Sequence, residues 1–417
     1  MSTTVSNNRS LSASELRAAL ADRLRNDTVR TAPVDNALRS VARHLFLPDV
    51  ALETAYADDP VYTKHDDATR AAISAASQPR IVALMLEQLA VEPGHRVLEL
   101  GAGTGYNAAL LAQLVGENGH VTTIDVDTDL VDGARQHLAT AGVTNTEVIL
   151  GDGALGHSEA GPYDRIIATV GAFEIPQAWL DQLAPTGRLV VPLRLAGAAS
   201  RSIAIERDTN GYTARDSDMC TFMPLRGRIA DDICSSIDLT TTGEVTLQPH
   251  ADNTPATTPE TLTGVLDSPR HDTWTGVWFS PGESVEWLYL WLTLSLTNPI
   301  MRMEVQASAK DRGLVEPMFP TVAMATTTAE GSLAYLTLRP TTPTPEGERR
   351  FEIGVIGHGP GGSELAEHVA DQIITWNQHF RTRNVRITIP DTPPAAAPQE
   401  GTFVLERGHH AITVTWE

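Results

Sequence analysis

The stretch Val97–Ala112, VLELGAGTGYNAALLA, decides the fold. It opens with an apolar run typical of a buried strand, passes through glycines at 101, 103 and 105, and ends in a helical segment. A glycine turn between strand and helix lets a ligand approach the backbone closely, next to the polar N-terminus of the helix. The stretch therefore predicts a nucleotide-type site beside this turn.

The surrounding sequence predicts an α/β fold. Short apolar strands alternate with helices from Arg96 to about residue 208, which is typical of a doubly wound, Rossmann-like parallel sheet. Helices precede it, the first opening with a capping box of Ser12 and Glu15. After about residue 228 the pattern changes to strands and one amphipathic helix at 363–380. We expect two domains, 1–228 and a smaller α+β domain at 229–417; the apolar run EWLYLWLTLSL (286–296) is predicted as a strand of the second.

The spacing around the glycines distinguishes between nucleotide cofactors. A dinucleotide fold needs a small sixth residue in its G-x-G-x-x-G turn, and here that residue is Tyr106. The pattern is instead E-x-G-x-G-x-G, from Glu99 to Gly105. It resembles motif I of the class I S-adenosylmethionine (AdoMet) methyltransferases. That resemblance predicts an AdoMet site at this turn.

Two acids follow in the right order for such a cofactor. Asp125 ends the next strand, where a carboxylate can bind both ribose hydroxyls. Asp152 ends the third strand, where it can accept a hydrogen bond from an adenine amino group. The carboxyl ends of neighbouring strands are where open α/β sheets bind ligands. The structural alternative is that both acids only cap the helices that follow them.

Longer segments carry a narrower resemblance. VARHLFLP (41–48), SQPRIVALMLEQL (77–89) and the run from Gly151 to Leu193 resemble the protein-L-isoaspartate O-methyltransferases, over about residues 15–210. The resemblance implies AdoMet as methyl donor, S-adenosylhomocysteine (AdoHcy) as product and no metal. It implies a set of cofactor-binding residues: Glu99, Gly101, Ala102, Gly103, Thr104, Asp125, Val126, Gly151, Asp152, Gly153 and Thr169.

The same resemblance points to a serine that holds the substrate carboxylate. Ser77 matches the active-site serine of the family segment T-I-S-Q-P, but this sequence has AISAASQP, so Ser74 is the other candidate. The alternative for Ser77 is an N-cap of the helix starting at Pro79. A carboxylate is already ionised at neutral pH, so attack on a sulfonium methyl needs alignment and a dry site but no general base.

The length of the chain suggests a specialised substrate. Chains of about this length resemble the isoaspartate-methyltransferase-like enzymes of ribosomal peptides, lanthipeptides among them, which methylate an Asp in a precursor peptide. The expected product is a methyl ester that cyclises to a succinimide and opens to isoaspartate. Repair of damaged proteins, a small-molecule methyltransferase and a non-catalytic AdoMet-binding module are the alternatives. The C-terminal half is expected to recognise the peptide, and it is also a candidate surface for a homodimer.

The composition indicates which binding partners and which cellular compartment to expect. The net charge is −21, which disfavours nucleic acid as a partner. No apolar run reaches the length of a membrane span, and the first residues lack the apolar core of a signal peptide. The two cysteines, Cys220 and Cys234, form no metal-binding pattern. These features predict a cytoplasmic protein, and the family resemblance implies that its partner is a peptide or protein bearing Asp or isoAsp.

Overall fold

The structure is a computed structural model, and it describes residues 11–66, 72–227, 234–253, 257–342, 347, 349–392 and 399–417. In chain order the helices are α1 (Ala13–Asp27), α2 (Ala32–Ser40), α3 (Leu52–Ala55), α4 (Pro79–Leu89), α5 (Tyr106–Val115), α6 (Thr128–Thr140), α7 (Gln177–Gln182), α8 (Pro259–Leu262), α9 (Glu286–Ser295), α10 (Ala307–Asp311) and α11 (Gly362–His379).

The strands follow the same numbering along the chain. They are β1 (Val61–His65), β2 (Ala72–Ala76), β3 (Arg96–Leu100), β4 (His120–Asp125), β5 (Thr146–Leu150), β6 (Tyr163–Ala168), β7 (Leu183–Ala196), β8 (Ala199–Asp208), β9 (Gly211–Met219), β10 (Ile237–Asp238), β11 (Val245–Gln248), β12 (His271–Phe279), β13 (Met301–Val305), β14 (Val322–Thr327), β15 (Leu333–Pro340), β16 (Phe351–His358), β17 (Val385–Pro390), β18 (Thr402–Arg407) and β19 (His410–Trp416).

The first sheet is doubly wound, as the sequence predicts. Its order is β18-β19-β17-β9-β8-β7-β6-β3-β4-β5 in the described part of the chain. Strands β7, β6, β3, β4 and β5 are parallel to one another, and the remaining pairs are antiparallel. The chain runs outward from β3 to β5 and then returns to β6 on the other side of β3. The strand order therefore reverses between β3 and β6, which is where such sheets bind ligands.

The N-terminal helices form as their sequence predicts. Ser12 accepts from the backbone N–H of Glu15, whose carboxylate accepts from the backbone N–H of Ser12 at 2.8 Å. This confirms the capping box. The strands β1 and β2 then form an antiparallel hairpin just before α4. Sequence analysis does not predict this hairpin, because its strands, 61–65 and 72–76, have no alternating apolar pattern.

The C-terminal half contributes a second sheet, consistent with the predicted α+β unit. Its order is β10-β11-β13-β14-β15-β16-β12, antiparallel throughout in the described residues. The last strands belong to the first sheet instead: β17 pairs with β9, β19 pairs with β17, and β18 lies at the edge beside β19. The domain boundary at 228/229 stays a prediction. The topology adds that the chain returns to the first sheet after it completes the second.

One hydrophobic core runs through both halves. A single buried cluster contains Leu98 and Ile166 of the first sheet, Trp291 of α9, Trp376 of α11 and Trp416 of β19. The ring of Trp291 stacks on Phe380 with centroids 4.3 Å apart. Burial of such aromatic side chains is a large stabilising contribution, so each half depends on the other for part of its core.

The prediction of a strand over 286–296 is wrong. These residues form the helix α9, from Glu286 to Ser295. Most of its side chains are buried, which leaves no polar face and hence no helical periodicity to detect. A short apolar run of this kind is compatible with either a buried strand or a buried helix, and here packing decides for the helix.

Candidate active site

A cavity of about 360 Å³ lies at the point where the strand order of the first sheet reverses. Its walls come from the glycine turn after β3, the ends of β4 and β6, the β2–α4 loop and a covering segment, residues 221–226. The volume is within the usual range of small-molecule sites. The parallel strands thus bring together loops that are far apart in sequence.

The glycine turn is shaped by its contact with β6. Gly101 has a φ of +107°, and a Cβ there would lie 2.7 Å from the hydroxyl of Thr169. Thr169 Oγ1 donates to the carbonyl of Gly101 at 2.6 Å and so ties the turn to the end of β6. Tyr106, where a dinucleotide fold needs a small residue, is buried against Phe46. A large buried aromatic side chain therefore occupies the position at which a dinucleotide-binding turn has a small residue.

Asp125 lies at the bottom of the cavity and is 8% exposed. Its Oδ2 accepts from the backbone N–H of Gly103 at 3.0 Å, and Oδ1 accepts from the N–H of Asp127 at 3.3 Å. The N-cap of α6 is Asp127, so Asp125 orients the glycine turn and does not cap that helix. A carboxylate fixed in this way presents acceptors to a ligand that carries hydroxyl groups.

Glu99 is fully buried on the wall of the cavity. It accepts from Asn107 at 2.7 Å and from Thr123 at 2.6 Å. Burial raises the pKa of Glu99 to about 7, although these two hydrogen bonds act in the opposite direction. The side chain therefore changes charge near neutral pH and would favour a cationic group beside it when ionised.

Asp152 plays a different part from Asp125. Its side chain accepts from the backbone N–H of Ala154 at 3.0 Å and caps the short turn Gly153–Leu155, as the structural alternative predicts. Gly153 lines the cavity, whereas Gly151 and Asp152 do not. Instead Asp152 lies against Gly227, where a Cβ would come within 2.5 Å of Oδ1.

The covering segment crosses the cavity beside the end of β6. Two backbone hydrogen bonds of 2.7 Å join Gly171 to Met223 and Leu225. They place the buried Leu225 against Gly153 and bring the guanidinium of Arg226 to 3.7 Å from Asp125. This segment has no catalytic motif, so sequence analysis missed it.

Both candidate serines line the cavity. Ser74, on β2, is 7% exposed and accepts from the hydroxyl of Thr63 at 3.1 Å. Ser77 is half-buried in the loop before α4. The N-cap of α4 is Gln78, and the capping hydrogen bond comes from Asp58, which accepts from Arg80 N–H at 2.9 Å. The N-cap alternative for Ser77 is therefore wrong.

The structure brings most of the predicted cofactor residues together. Those that line the cavity are Glu99, Gly101, Ala102, Gly103, Thr104, Asp125, Val126, Gly153 and Thr169. Sequence analysis missed Arg226, which lines the cavity, and its ion-pair partner Asp127, which also pairs with Lys64. They are far apart in the sequence, so no motif connects them.

A family model described as "Protein-L-isoaspartate(D-aspartate) O-methyltransferase (PCMT)" matches residues 15–230, more than half of the chain. The chain belongs to this family. It is therefore an AdoMet-dependent protein carboxyl methyltransferase, and the sequence-based prediction of the family is confirmed.

Curated relatives match the same half of the chain. Protein-L-isoaspartate O-methyltransferase 2 of Archaeoglobus fulgidus is 37% identical over 214 residues, which are 51% of this chain and 94% of that protein. The Methanoregula boonei enzyme is 42% identical over 201 residues, 48% of this chain and 87% of its own. The relatives therefore say nothing about most of the C-terminal half.

Solved structures of the same name are more distant. One protein-L-isoaspartate O-methyltransferase aligns over 96% of this chain and 99% of its own with 19% identity and a TM-score of 0.49. A Plasmodium falciparum protein of this type, in complex with S-adenosyl-L-homocysteine, covers 50% of this chain and 98% of its own at 23% identity and a TM-score of 0.43.

The cavity of this methyltransferase fits AdoMet. Asp125 offers carboxylate oxygens for a ribose diol, while Val126, Leu130 and Leu225 offer apolar surface for a base. Glu99 suits the cationic methionine end when it is ionised. Among the described residues no group of three His, Cys, Asp or Glu side chains could hold a metal ion, and no helix could span a membrane.

Proposed function

We propose that the chain transfers the methyl group of AdoMet to an isoaspartyl or aspartyl carboxylate of a peptide segment that enters the cavity. The observation that carries this proposal is that Ser74 and Ser77 line the same cavity as the glycine turn and Asp125. Substrate and cofactor groups that share one small cavity are suited to direct transfer between the two.

The proposed cofactor contacts follow the residues of the cavity wall. Asp125 binds the ribose hydroxyls, Val126 lies against the base, and Glu99 faces the cationic methionine end. Gly101, Ala102, Gly103, Thr104, Gly153 and Thr169 complete this wall. For Gly151 and Asp152 a contact with the base stays a prediction from the family resemblance.

The chemistry requires little more than alignment. AdoMet supplies an electrophilic methyl group on a sulfonium centre. A carboxylate oxygen forms the new bond to carbon while the carbon–sulfur bond breaks and its electrons stay on sulfur, so a methyl ester and a neutral thioether result. Positioning of this kind can contribute about 7–11 kcal/mol to a rate. In this proposal a serine hydroxyl directs the carboxylate, and the apolar side chains of Phe222 and Met223 exclude water.

The methyl ester determines the fate of the peptide. The backbone nitrogen of the next residue attacks the ester carbonyl, methanol leaves, and a succinimide forms. Water then opens the ring to aspartate or isoaspartate. No residue of this chain is needed after the methyl transfer.

For the substrate we propose a dedicated ribosomal precursor peptide, as in lanthipeptide biosynthesis. The family match ends at residue 230 of 417, so a large part of the chain is available for recognition. Two exposed aromatic side chains of this part are suited to a peptide: Trp278 on β12 is 47% exposed, and Phe319 in the loop before β14 is 41% exposed. Methylation of isoaspartyl sites in damaged proteins is the alternative, since the curated relatives are named protein-L-isoaspartate O-methyltransferases. Dimerisation through the C-terminal half and a cytoplasmic location stay predictions.

A matched set of peptides tests the substrate. The full-length protein and AdoMet are incubated with three peptides of one sequence: isoAsp at a single position, Asp at that position, and Asp within a thioether ring. Mass spectrometry detects the added methyl group. Methylation of the ring peptide supports the precursor proposal, and methylation of isoAsp alone supports repair. If none of the three is methylated while AdoHcy binds, the proposed peptide substrate is wrong.

A further inference from the structure

Lys64 links the β1–β2 hairpin, which carries Ser74, to the start of α6. Its Nζ lies 2.8 Å from both carboxylate oxygens of Asp127 and 3.2 Å from Asp129. Lys64 is on strand β1, whereas the two acids lie at the start of α6, just after β4. The side chains of Lys64 and Asp127 are 29% and 16% exposed. Lys64 and the two acids therefore form a partly buried ion-pair bridge between strand β1 and the start of helix α6.

The bridge holds the strand pair that carries Ser74. In the register of the hairpin, Lys64 is the cross-strand partner of Ser74. The neighbouring Thr63 donates its hydroxyl hydrogen to Ser74 at 3.1 Å. The position of Lys64 therefore bears on that of Ser74, because directly opposed residues of an antiparallel pair interact.

The other end of the bridge reaches the proposed ribose site. Arg226 lies 3.3 Å from Asp127 and 3.7 Å from Asp125. The hydrogen bond from Lys64 lowers the pKa of Asp127, and Arg226 acts in the same direction, so this carboxylate stays ionised. Two cations and three acids thus form one connected network from the hairpin to Asp125.

We propose that Lys64 is a positioning residue, whose ion pairs with Asp127 and Asp129 seat the β1–β2 hairpin and couple occupancy of the ribose site to the position of Ser74. This inference rests on the proposed roles of Asp125 and Ser74. Arg226, which shares Asp127 with Lys64, lines the same cavity as Asp125, so a ligand bound at Asp125 would lie beside it. By linkage, the coupling acts equally in both directions.

The lysine content of the chain allows a direct test. The sequence contains two lysines, Lys64 and Lys310, and Lys310 is exposed on α10. Brief acetylation of the full chain with limiting acetic anhydride, followed by peptide mass spectrometry, gives the rate at each lysine. We expect Lys64 to react more slowly than Lys310, and AdoHcy to slow Lys64 about fivefold further without changing Lys310. Equal rates at Lys64 with and without AdoHcy, under conditions where AdoHcy binds, overturn the proposal.

Variants separate positioning from a structural role. Lys64→Met should weaken AdoHcy binding about fivefold and raise the KM for an isoaspartyl peptide more than it lowers kcat. Lys64→Arg should restore most of the binding, and Lys310→Met is the matched control with no effect. Unchanged AdoHcy affinity in Lys64→Met, with normal thermal stability, also overturns the proposal. If AdoHcy fails to bind the unmodified protein, the proposed function fails as well, so the two failures are distinguishable.

Discussion

Arg43 Nη2 donates a hydrogen bond of 2.9 Å to the carbonyl oxygen of Ser77, although the arginine side chain is almost completely buried. Its Nε donates to the carbonyl of Ala55 at 2.9 Å, and its guanidinium lies over the ring of Tyr106, 4.8 Å from the centroid. Tyr106 begins α5 directly after the glycine turn. Arg43 thus holds the serine loop and the cofactor turn at a fixed separation.

Replacing Arg43 should destabilise the fold. Arg43→Met removes the donor from the buried carbonyls of Ala55 and Ala76 and from the partly buried carbonyl of Ser77, at a cost of about 1–3 kcal/mol for each buried carbonyl. Arg25 is the matched control, since its ion pair with Asp35 involves a side chain that is 64% exposed. We expect thermal denaturation to show a clearly lower Tm for Arg43→Met and almost no change for Arg25→Met. Equal shifts would contradict this role of Arg43.

The two serines can be separated by kinetics. If Ser77 directs the carboxylate, Ser77→Ala should lower kcat at least tenfold while the Kd of AdoHcy stays unchanged, because about 1.4 kcal/mol of lost transition-state stabilisation is tenfold in rate. Ser74→Ala would then have a smaller effect, exerted through Thr63 and the hairpin. The reverse result assigns the role to Ser74.

Asp125 should control cofactor affinity. Asp125→Asn removes the charge that strengthens hydrogen bonds to the ribose, and such bonds contribute about 1.5–3 kcal/mol. We expect calorimetry to give a Kd for AdoHcy that is about tenfold higher or more. Asp132→Asn, at an acid that is 67% exposed on α6, provides the control and should bind normally. A normal Kd in Asp125→Asn would place the ribose elsewhere.

Glu99 should make AdoMet binding depend on pH. Its pKa of about 7 in the free protein means that most of these carboxyls are protonated at pH 6 and ionised at pH 8. A cationic ligand favours the ionised form, so binding at low pH must first release a proton. We expect AdoMet affinity to rise from pH 6 to pH 8, with proton release near pH 6. Glu99→Gln should flatten this profile; an equally steep profile in the variant would assign it to another group.

The raised pKa of Glu99 also makes the free energy of unfolding depend on pH. The folded pKa of Glu99 lies above its ordinary value of 4.5, so its contribution to stability is fully present below that value and is lost as pH rises through about 7. AdoMet should therefore stabilise the protein most at the alkaline end of this range.

The shared core predicts a single unfolding transition. Because Trp291 packs against Phe380, Phe403 and Trp416, the two halves should unfold together in calorimetry. Trp291→Ala should lower the stability of the whole chain by about 3–5 kcal/mol. Two separate transitions, of which AdoHcy shifts one, would show that the halves are independent.

The glycine turn and the alternating strands could be predicted because their signals are local. Gly101, Gly103 and Asp125 occupy neighbouring strand ends, and a parallel sheet brings such ends together whatever the loops between them. The family resemblance added the AdoMet cofactor and the isoaspartate chemistry. These features need no knowledge of distant contacts.

What the sequence could not predict depends on contacts between distant segments. The bridge from Lys64 to Asp127 joins positions 63 residues apart, and neither residue belongs to a motif. The helix α9 was missed because burial on all sides removes its periodicity. Arg226 reaches Asp125 because Gly171 anchors the covering segment by backbone hydrogen bonds, which carry no signal in the side chains.

The pairing of β17 with β9 sets an order of events during synthesis on the ribosome. Strand β9 ends at Met219, but its partner begins at Val385, so the whole second sheet is translated before this edge can be covered. At about 5–20 residues per second the nascent chain exposes the edge for on the order of ten to thirty seconds. A ribosome that stalls within the second sheet holds a chain with an open strand edge, the kind of surface on which chains aggregate. We therefore expect slow translation of the second sheet to lower the yield of folded enzyme in a cell.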